Sequence, residues 1–136
     1  MTEKLSLSPL GHTWFLDLDG TLVKHNGYKT DGYDTLLEGA EEFLRSIPED
    51  DMIVIVTSRT EEYQEATERF LAERRIRYDH IICGAPLGER IVVNDRKPSG
   101  LATAVAVNVD RDRKVEILIP ETPPPFGGDS PVRGVN

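Results

Sequence analysis

Residues 52–56, with the sequence Met-Ile-Val-Ile-Val, constrain the fold most, because every side chain is apolar and four of the five are β-branched. A continuous apolar run of this kind is typical of a parallel strand buried on both faces. Residues 13–18 are apolar and aromatic apart from Asp17 and lead into Asp19-Gly20, which predicts a buried strand followed by a turn. Residues 81–83 and 91–93 predict two further short strands.

Helical patterns separate these strands. Between residues 36 and 47, apolar side chains recur at spacings of three and four, which predicts an amphipathic helix that Pro48 ends. The sequence Ser58-Arg59-Thr60-Glu61 matches a capping box and predicts a second helix that reaches about residue 75. Strands that alternate with helices in this way predict an α/β fold, a doubly wound, Rossmann-like parallel sheet with helices on both faces.

The other segments are less regular. Residues 23–34 predict a loop or small flap, residues 101–109 a short helical turn and a fifth strand, and residues 115–119 an edge strand. From residue 120 the chain is rich in proline and glycine, which is typical of a disordered tail. We therefore expect an N-terminal extension at residues 1–11, one folded domain at residues 12–119, and a tail at residues 120–136.

Composition excludes several classes of protein. A chain of 136 residues that is 38% hydrophobic has material for one core and is too short for two domains of usual size. Its net charge of −8 disfavours a nonspecific nucleic-acid binder or a partner of anionic lipid. Cys83 is the single cysteine and no apolar run has signal-peptide or membrane-spanning length, so we expect a cytoplasmic protein without an intrachain disulfide.

Polar side chains follow three of the predicted strands at their carboxyl ends. They are Asp17 with Asp19, Thr57, and Asn94 with Asp95. Ligands of open parallel sheets bind in the crevice at this edge, so the sequence predicts a site there. Neighbouring carboxylates repel each other unless a cation or a proton intervenes, and Mg²⁺ prefers such oxygen ligands. A carboxylate at such a site can attack phosphorus and form an aspartyl phosphate.

The segment Asp17-Leu18-Asp19-Gly20-Thr21 after an apolar strand resembles the Asp-x-Asp-x-Thr signature of the haloacid-dehalogenase-like (HAD) phosphohydrolases. The resemblance extends to Thr57-Ser58-Arg59 as the second motif and to Asn94-Asp95 as the acidic motif, and covers roughly residues 12–110. It implies that residues 12–119 form a catalytic domain. No insertion long enough for a cap domain interrupts the motifs, so the chain resembles the capless type.

The resemblance implies a role for each motif residue. Asp17 is the nucleophile, Asp19 the acid/base, and Thr57 a donor to the phosphoryl group, with Ser58 and Arg59 beside it as substrate-binding residues. Mg²⁺ is held by the Asp17 side chain, the Asp19 carbonyl and the Asp95 side chain. The family's lysine before the acidic motif is missing, since the interval between Arg77 and Asp95 holds Arg90 but no lysine. We assign the lysine's role to Lys97.

The function that the resemblance implies is Mg²⁺-dependent phosphomonoester hydrolysis, on a sugar phosphate or similar small phosphometabolite. Two alternatives stay open at this point. One is a nucleotide or polynucleotide-end phosphatase, although the acidic balance offers no track for a nucleic-acid backbone. The other is a catalytically degenerate HAD domain that binds a phosphorylated ligand or partner. Without a cap, a homo-oligomer is a possible cover for the open site, and no membrane partner is expected.

Overall fold

The computed structural model describes residues 2–120, so the tail predicted at residues 120–136 lies outside the described residues except for Pro120. The elements in chain order are β1 (Glu3–Lys4), β2 (Thr13–Asp17), α1 (Gly27–Thr30), α2 (Ala40–Ser46), β3 (Met52–Val56), a 3-10 helix (Glu61–Tyr63), α3 (Gln64–Glu73), β4 (His80–Ile82) and β5 (Ile117–Leu118). Within the described part of the chain, no helix is both long enough and apolar enough to cross a membrane.

Three parallel strands form the main sheet, in the order β2-β3-β4, and the predicted Rossmann-like α/β fold is confirmed. The central strand β3 carries Ile53, Val54 and Ile55, all buried. Because successive side chains of a strand point to opposite faces, their burial shows that both faces of β3 are covered. A second, two-stranded parallel sheet joins β1 to β5, as expected for an edge strand near residues 115–119.

The core lies where α2 and α3 pack with the main sheet. Phe43 of α2 and Leu71 of α3 are buried in one cluster with the strand residues Leu16, Ile53 and Ile55. Each fully buried side chain of this size contributes about 1.5–3 kcal/mol.

A buried carboxylate fixes the register at the start of the sheet. Asp51 accepts hydrogen bonds from His12 N–H at 3.1 Å and from Trp14 Nε1 at 3.0 Å, and its Oδ2 lies 2.8 Å from His12 Nδ1. These bonds tie the beginning of β2 to the beginning of β3. The register then places Asp17 opposite Val56, so that Thr57 follows immediately on the neighbouring strand.

The predicted helices are present but shorter than the sequence pattern indicates. The first begins only at Ala40, after Gly39, which adopts a left-handed φ of 85°. The second predicted helix begins with the 3-10 helix, whose N-cap residue is Thr60 rather than Ser58. It continues as α3, which ends at Glu73. No side chain makes a capping hydrogen bond at the start of the 3-10 helix or of α3, so the predicted capping box does not form.

Two predicted strands do not form within the described residues. Residues 91–93 and 101–109 have irregular backbone. Ile91 and Val93 are 83% and 89% exposed, so these β-branched side chains bury little surface. Strand propensity reflects packing against neighbours, and without such a neighbour the apolar pattern alone does not produce a strand.

Candidate active site

Asp17 is the last residue of β2 and lies at the carboxyl edge of the main sheet. Its carboxylate accepts hydrogen bonds from Thr21 Oγ1 at 2.8 Å and from Arg90 Nη1 at 2.9 Å. The side chain is 37% exposed, so a ligand can reach it from solvent. The carboxyl edge of an open parallel sheet is where ligands bind, and Asp17 is an accessible carboxylate at that edge.

A tight turn after β2 presents Asp17 and Thr21 to each other. The Leu18 carbonyl accepts the N–H groups of Thr21 and Leu22, at 3.2 and 2.9 Å. Gly20 has φ 82°, and a Cβ there would lie 3.0 Å from Arg111 Cγ. The turn therefore needs glycine both for its left-handed backbone and for the close approach of Arg111.

Asp19 and Arg59 form a bidentate ion pair. Arg59 Nε donates to Asp19 Oδ2 and Arg59 Nη2 donates to Asp19 Oδ1, both at 2.9 Å. The Arg59 side chain is 2% exposed and that of Asp19 is 15% exposed. A planar guanidinium and a planar carboxylate that share two parallel bonds hold each other in a fixed orientation.

The other side of the same guanidinium pairs with Asp34, in the segment after α1. Arg59 Nη1 and Nη2 donate to Asp34 Oδ2 and Oδ1 at 3.0 and 2.7 Å, and Nη1 also donates to Thr67 Oγ1 at 2.9 Å. Arginine has five N–H donors, and these bonds use all five. No N–H of Arg59 is left for a phosphate in this arrangement, which differs from the substrate-binding role that the sequence predicts.

Arg59 stays charged in this environment. Burial alone would lower the pKa of its guanidinium, but the hydrogen bonds and negative charges of Asp19 and Asp34 outweigh burial and raise the pKa above its ordinary value. The Tyr28 ring lies 3.9 Å from Arg59 Cζ, a cation–π distance. The motif identifies Arg59 but neither Asp34 nor Tyr28, because no motif or regular spacing links these two residues to Asp19.

Thr57 follows β3, one strand away from Asp17. Its N–H donates to the Ile82 carbonyl at 2.9 Å, which anchors it to β4. Its Oγ1 accepts the Arg59 N–H at 3.1 Å, and the side chain is buried. The hydroxyl proton is a separate donor, so the predicted role of Thr57 toward a phosphoryl group stays a prediction. Ser58 Oγ reaches the Pro86 carbonyl at 3.4 Å.

The cation that the structure places on Asp17 is Arg90 rather than the predicted Lys97. Lys97 lies in a turn, where its N–H donates to the Leu101 carbonyl and its own carbonyl accepts the Gly100 N–H. Arg90 is the basic residue that precedes the predicted acidic motif, at the place where the resemblance implies a lysine. The structure thus gives Arg90 the contact that we assigned to Lys97, whose catalytic role stays a prediction.

The oxygen donors around Asp17 suit Mg²⁺ in part. Across residues 2–120, no three His, Cys, Asp or Glu side chains gather in a way that could hold a metal. Asp95 is exposed, and its carbonyl accepts a hydrogen bond from Thr103 Oγ1. A carboxylate has about four acceptor positions, so Asp17 keeps free ones beyond its two bonds. Mg²⁺ commonly uses one or two carboxylates and several waters, and Asp17 with the Asp19 carbonyl fits that chemistry.

Two solved chains resemble part of this chain. No family model matches the chain, and no curated protein matches it. A chain of the Pnkp1/Rnl/Hen1 RNA repair complex is 29% identical with a TM-score of 0.48, over 65% of this chain and 30% of that one. A chain from another structure of the Pnkp1/Rnl/Hen1 complex is 29% identical with a TM-score of 0.45, over 62% of this chain and 31% of that one. This chain thus spans under a third of theirs.

Proposed function

We propose that this protein hydrolyses phosphate monoesters through an aspartyl-phosphate intermediate formed on Asp17. The observation that carries the proposal is the position of Asp17, an accessible carboxylate at the carboxyl edge of the sheet, oriented by Thr21 and paired with Arg90. Thr57 on the adjacent strand and Asp19 two residues on supply the other groups that such a reaction needs. The order of these residues is the one that the resemblance to HAD phosphohydrolases implies.

The reaction has two steps. In the first, Asp19 enters as the protonated acid. An oxygen of Asp17 attacks phosphorus, the bond from phosphorus to the ester oxygen breaks, and the leaving oxygen takes the proton from Asp19. In the second, water attacks the aspartyl phosphate and gives a proton to Asp19. The bond between phosphorus and the Asp17 oxygen then breaks, which releases phosphate and restores both carboxyl groups. Arg90 offsets negative charge as the phosphoryl group approaches Asp17.

We also propose that the reaction depends on Mg²⁺. Asp17 and the backbone carbonyl of Asp19 would hold the ion, with Asp95 as the third ligand that the family resemblance implies. When bound, the ion neutralises the charge of the phosphoryl oxygens, which otherwise repel an anionic nucleophile.

Two classes of substrate are candidates for this reaction. A small phosphometabolite such as a sugar phosphate is the class that the resemblance favours. A nucleotide or polynucleotide end is the second candidate, supported by the basic side chains around the site. Arg90 contacts Asp17, and Arg111 lies against Gly20 of the adjoining turn. The Arg90 side chain is 40% exposed, so its other N–H groups can reach a phosphate that approaches Asp17.

The proposal is tested by hydrolysis of p-nitrophenyl phosphate with Mg²⁺ and after its removal with EDTA. We expect activity with the metal and loss without it. Asp17→Asn should lower kcat by about a thousandfold or more, whereas Asp31→Asn, an exposed carboxylate at the end of α1, should leave kcat unchanged. The kcat/KM values of sugar phosphates and of 3′- and 5′-phosphorylated oligonucleotides are then measured and compared, and the highest value identifies the substrate class. Undiminished activity of Asp17→Asn would exclude this mechanism.

A further inference from the structure

Arg59 is a buried charge that faces two buried or nearly buried carboxylates. The side chains of Arg59, Asp34 and Asp19 are 2%, 5% and 15% exposed. Burying three ionised groups is costly unless their geometry is well satisfied. All five N–H groups of the guanidinium are bonded, so its orientation is fully specified.

We propose that Arg59 and Asp34 are positioning residues, which hold the carboxyl group of Asp19 in the orientation that its proton transfers to the leaving oxygen and from water require. The inference rests on the proposed function, in which Asp19 is the acid/base. Neither residue contacts the phosphoryl group in this role. Arg59 acts through its two bonds to Asp19, and Asp34 acts through its two bonds to Arg59.

The geometry explains why two residues are needed. The bonds from Arg59 fix the plane of the Asp19 carboxylate, because both of its oxygens are engaged. Asp34 fixes the plane of the guanidinium in turn, from the opposite side. Each Asp19 oxygen keeps an acceptor position after one bond, so the carboxyl group is oriented without being blocked. Proton transfer is sensitive to displacements of this group well below 1 Å.

The same bonds link Asp19 to the flap of residues 23–34. Tyr28 of α1 stacks on the guanidinium, and its ring also packs edge-on against Tyr63 at 4.9 Å. Thr67 of α3 accepts from Arg59 and donates to the Tyr63 carbonyl at 2.7 Å. The position of Asp19 is therefore set jointly by the flap and by α3, beyond the turn in which it lies.

The test compares Asp34→Asn with Asp31→Asn. Both changes remove a carboxylate near α1, but Asp31 is exposed and pairs with Lys24 rather than with Arg59. Each variant is assayed with p-nitrophenyl phosphate, whose leaving group departs without a proton, and with an alkyl phosphate, whose leaving group needs one. Thermal unfolding of each variant is measured in parallel.

If Asp34 positions the acid/base, Asp34→Asn lowers kcat/KM, which reports the step in which the leaving group departs, by between about 10- and 100-fold for the alkyl phosphate, and lowers it less for p-nitrophenyl phosphate. In an Asp19→Asn background the same change has no further effect on kcat/KM. Asp31→Asn behaves as wild type. Arg59→Lys, which keeps the charge but loses the planar fork, shows the same dependence on the leaving group.

Equal losses of kcat/KM with both substrates, or a loss that persists in the Asp19→Asn background, would mean a merely structural role and overturn the inference. Wild-type kcat/KM in Asp34→Asn would overturn it as well, while leaving the proposed function intact if Asp17→Asn is inactive. A wild-type protein that hydrolyses neither substrate would overturn both. Should Asp34→Asn fail to fold, Arg59→Lys supplies the same leaving-group comparison.

Discussion

Replacing Arg59 by methionine should destabilise the protein strongly. Methionine is unbranched and fills much of the same volume, so the change removes mainly the charge and its five hydrogen bonds. Asp34 would then be left 5% exposed and without its cation, next to Asp19 at 15% exposed. Removing one partner of a buried ion pair lowers the free energy of unfolding strongly, because the other charge stays buried without a partner.

The expected loss is about 3–5 kcal/mol in the free energy of unfolding, the range for breaking a buried pair from one side. The partial exposure of Asp19 favours the lower end of that range. For a chain of this size the loss corresponds to a fall in Tm of about 10–20 °C. Urea unfolding followed by circular dichroism measures the free energy, and a thermal scan measures Tm.

A matched control separates charge from packing. Arg59→Met combined with Asp34→Asn removes one unpaired carboxylate, so the double variant should be more stable than Arg59→Met alone. A loss below about 1 kcal/mol for Arg59→Met, as for an exposed ion pair, would refute the claim that this network is buried and fully satisfied. So would a double variant that is less stable than the single one.

Three further predictions concern parts of the fold away from Arg59. Asp51→Ala should cost about 2 kcal/mol or more in urea unfolding, because it leaves the partly buried donors of His12 and Trp14 at the start of the sheet without an acceptor. Gly39→Ala should cost about 2 kcal/mol or more in the same assay, since Gly39 has φ 85° and its Cβ would collide with the Val115 carbonyl. The hydrogen bond and charge of Lys24 lower the pKa of Asp31 from its ordinary 3.8. The ion pair with Lys24 therefore stabilises the fold above pH 3.8, and this stabilisation is lost as the pH falls through the lowered pKa of Asp31. An NMR titration should show a higher Asp31 pKa in Lys24→Met than in the wild type.

The sheet was predictable where local pattern and burial agree. The apolar run of β3 and the Asp-Gly turn after β2 each carry their own signal, and both elements form as expected. Residues 91–93 carry the same kind of apolar signal and form no strand. The difference lies in long-range packing, because β3 has a neighbouring strand on each side, whereas Ile91 and Val93 are exposed. A sequence window contains no information about that neighbour.

The sequence predicted the place of Asp17 and Thr57 at the sheet edge, but residues 91–93 form no strand that would bring Asp95 to the same edge. Asp17 and Thr57 follow from where the strands end, and the parallel register places both at one edge. The ion pair between Arg59 and Asp34 joins residues that are 25 positions apart, and the ion pair between Arg59 and Asp19 joins residues that are 40 positions apart. Neither separation belongs to a local motif, so the pairing of these charges emerges only when the flap packs against the sheet.

The central claim is that a covalent phosphoryl group forms on Asp17, and borohydride trapping during turnover tests it most directly. Borohydride reduces an acyl phosphate but leaves a free carboxylate unchanged, so the modified residue is identified by peptide mass spectrometry. We expect reduction of Asp17 to homoserine when substrate and Mg²⁺ are present, and none without substrate or in Asp17→Asn. Steady hydrolysis with an unmodified Asp17, or with the label on another residue, would contradict the account.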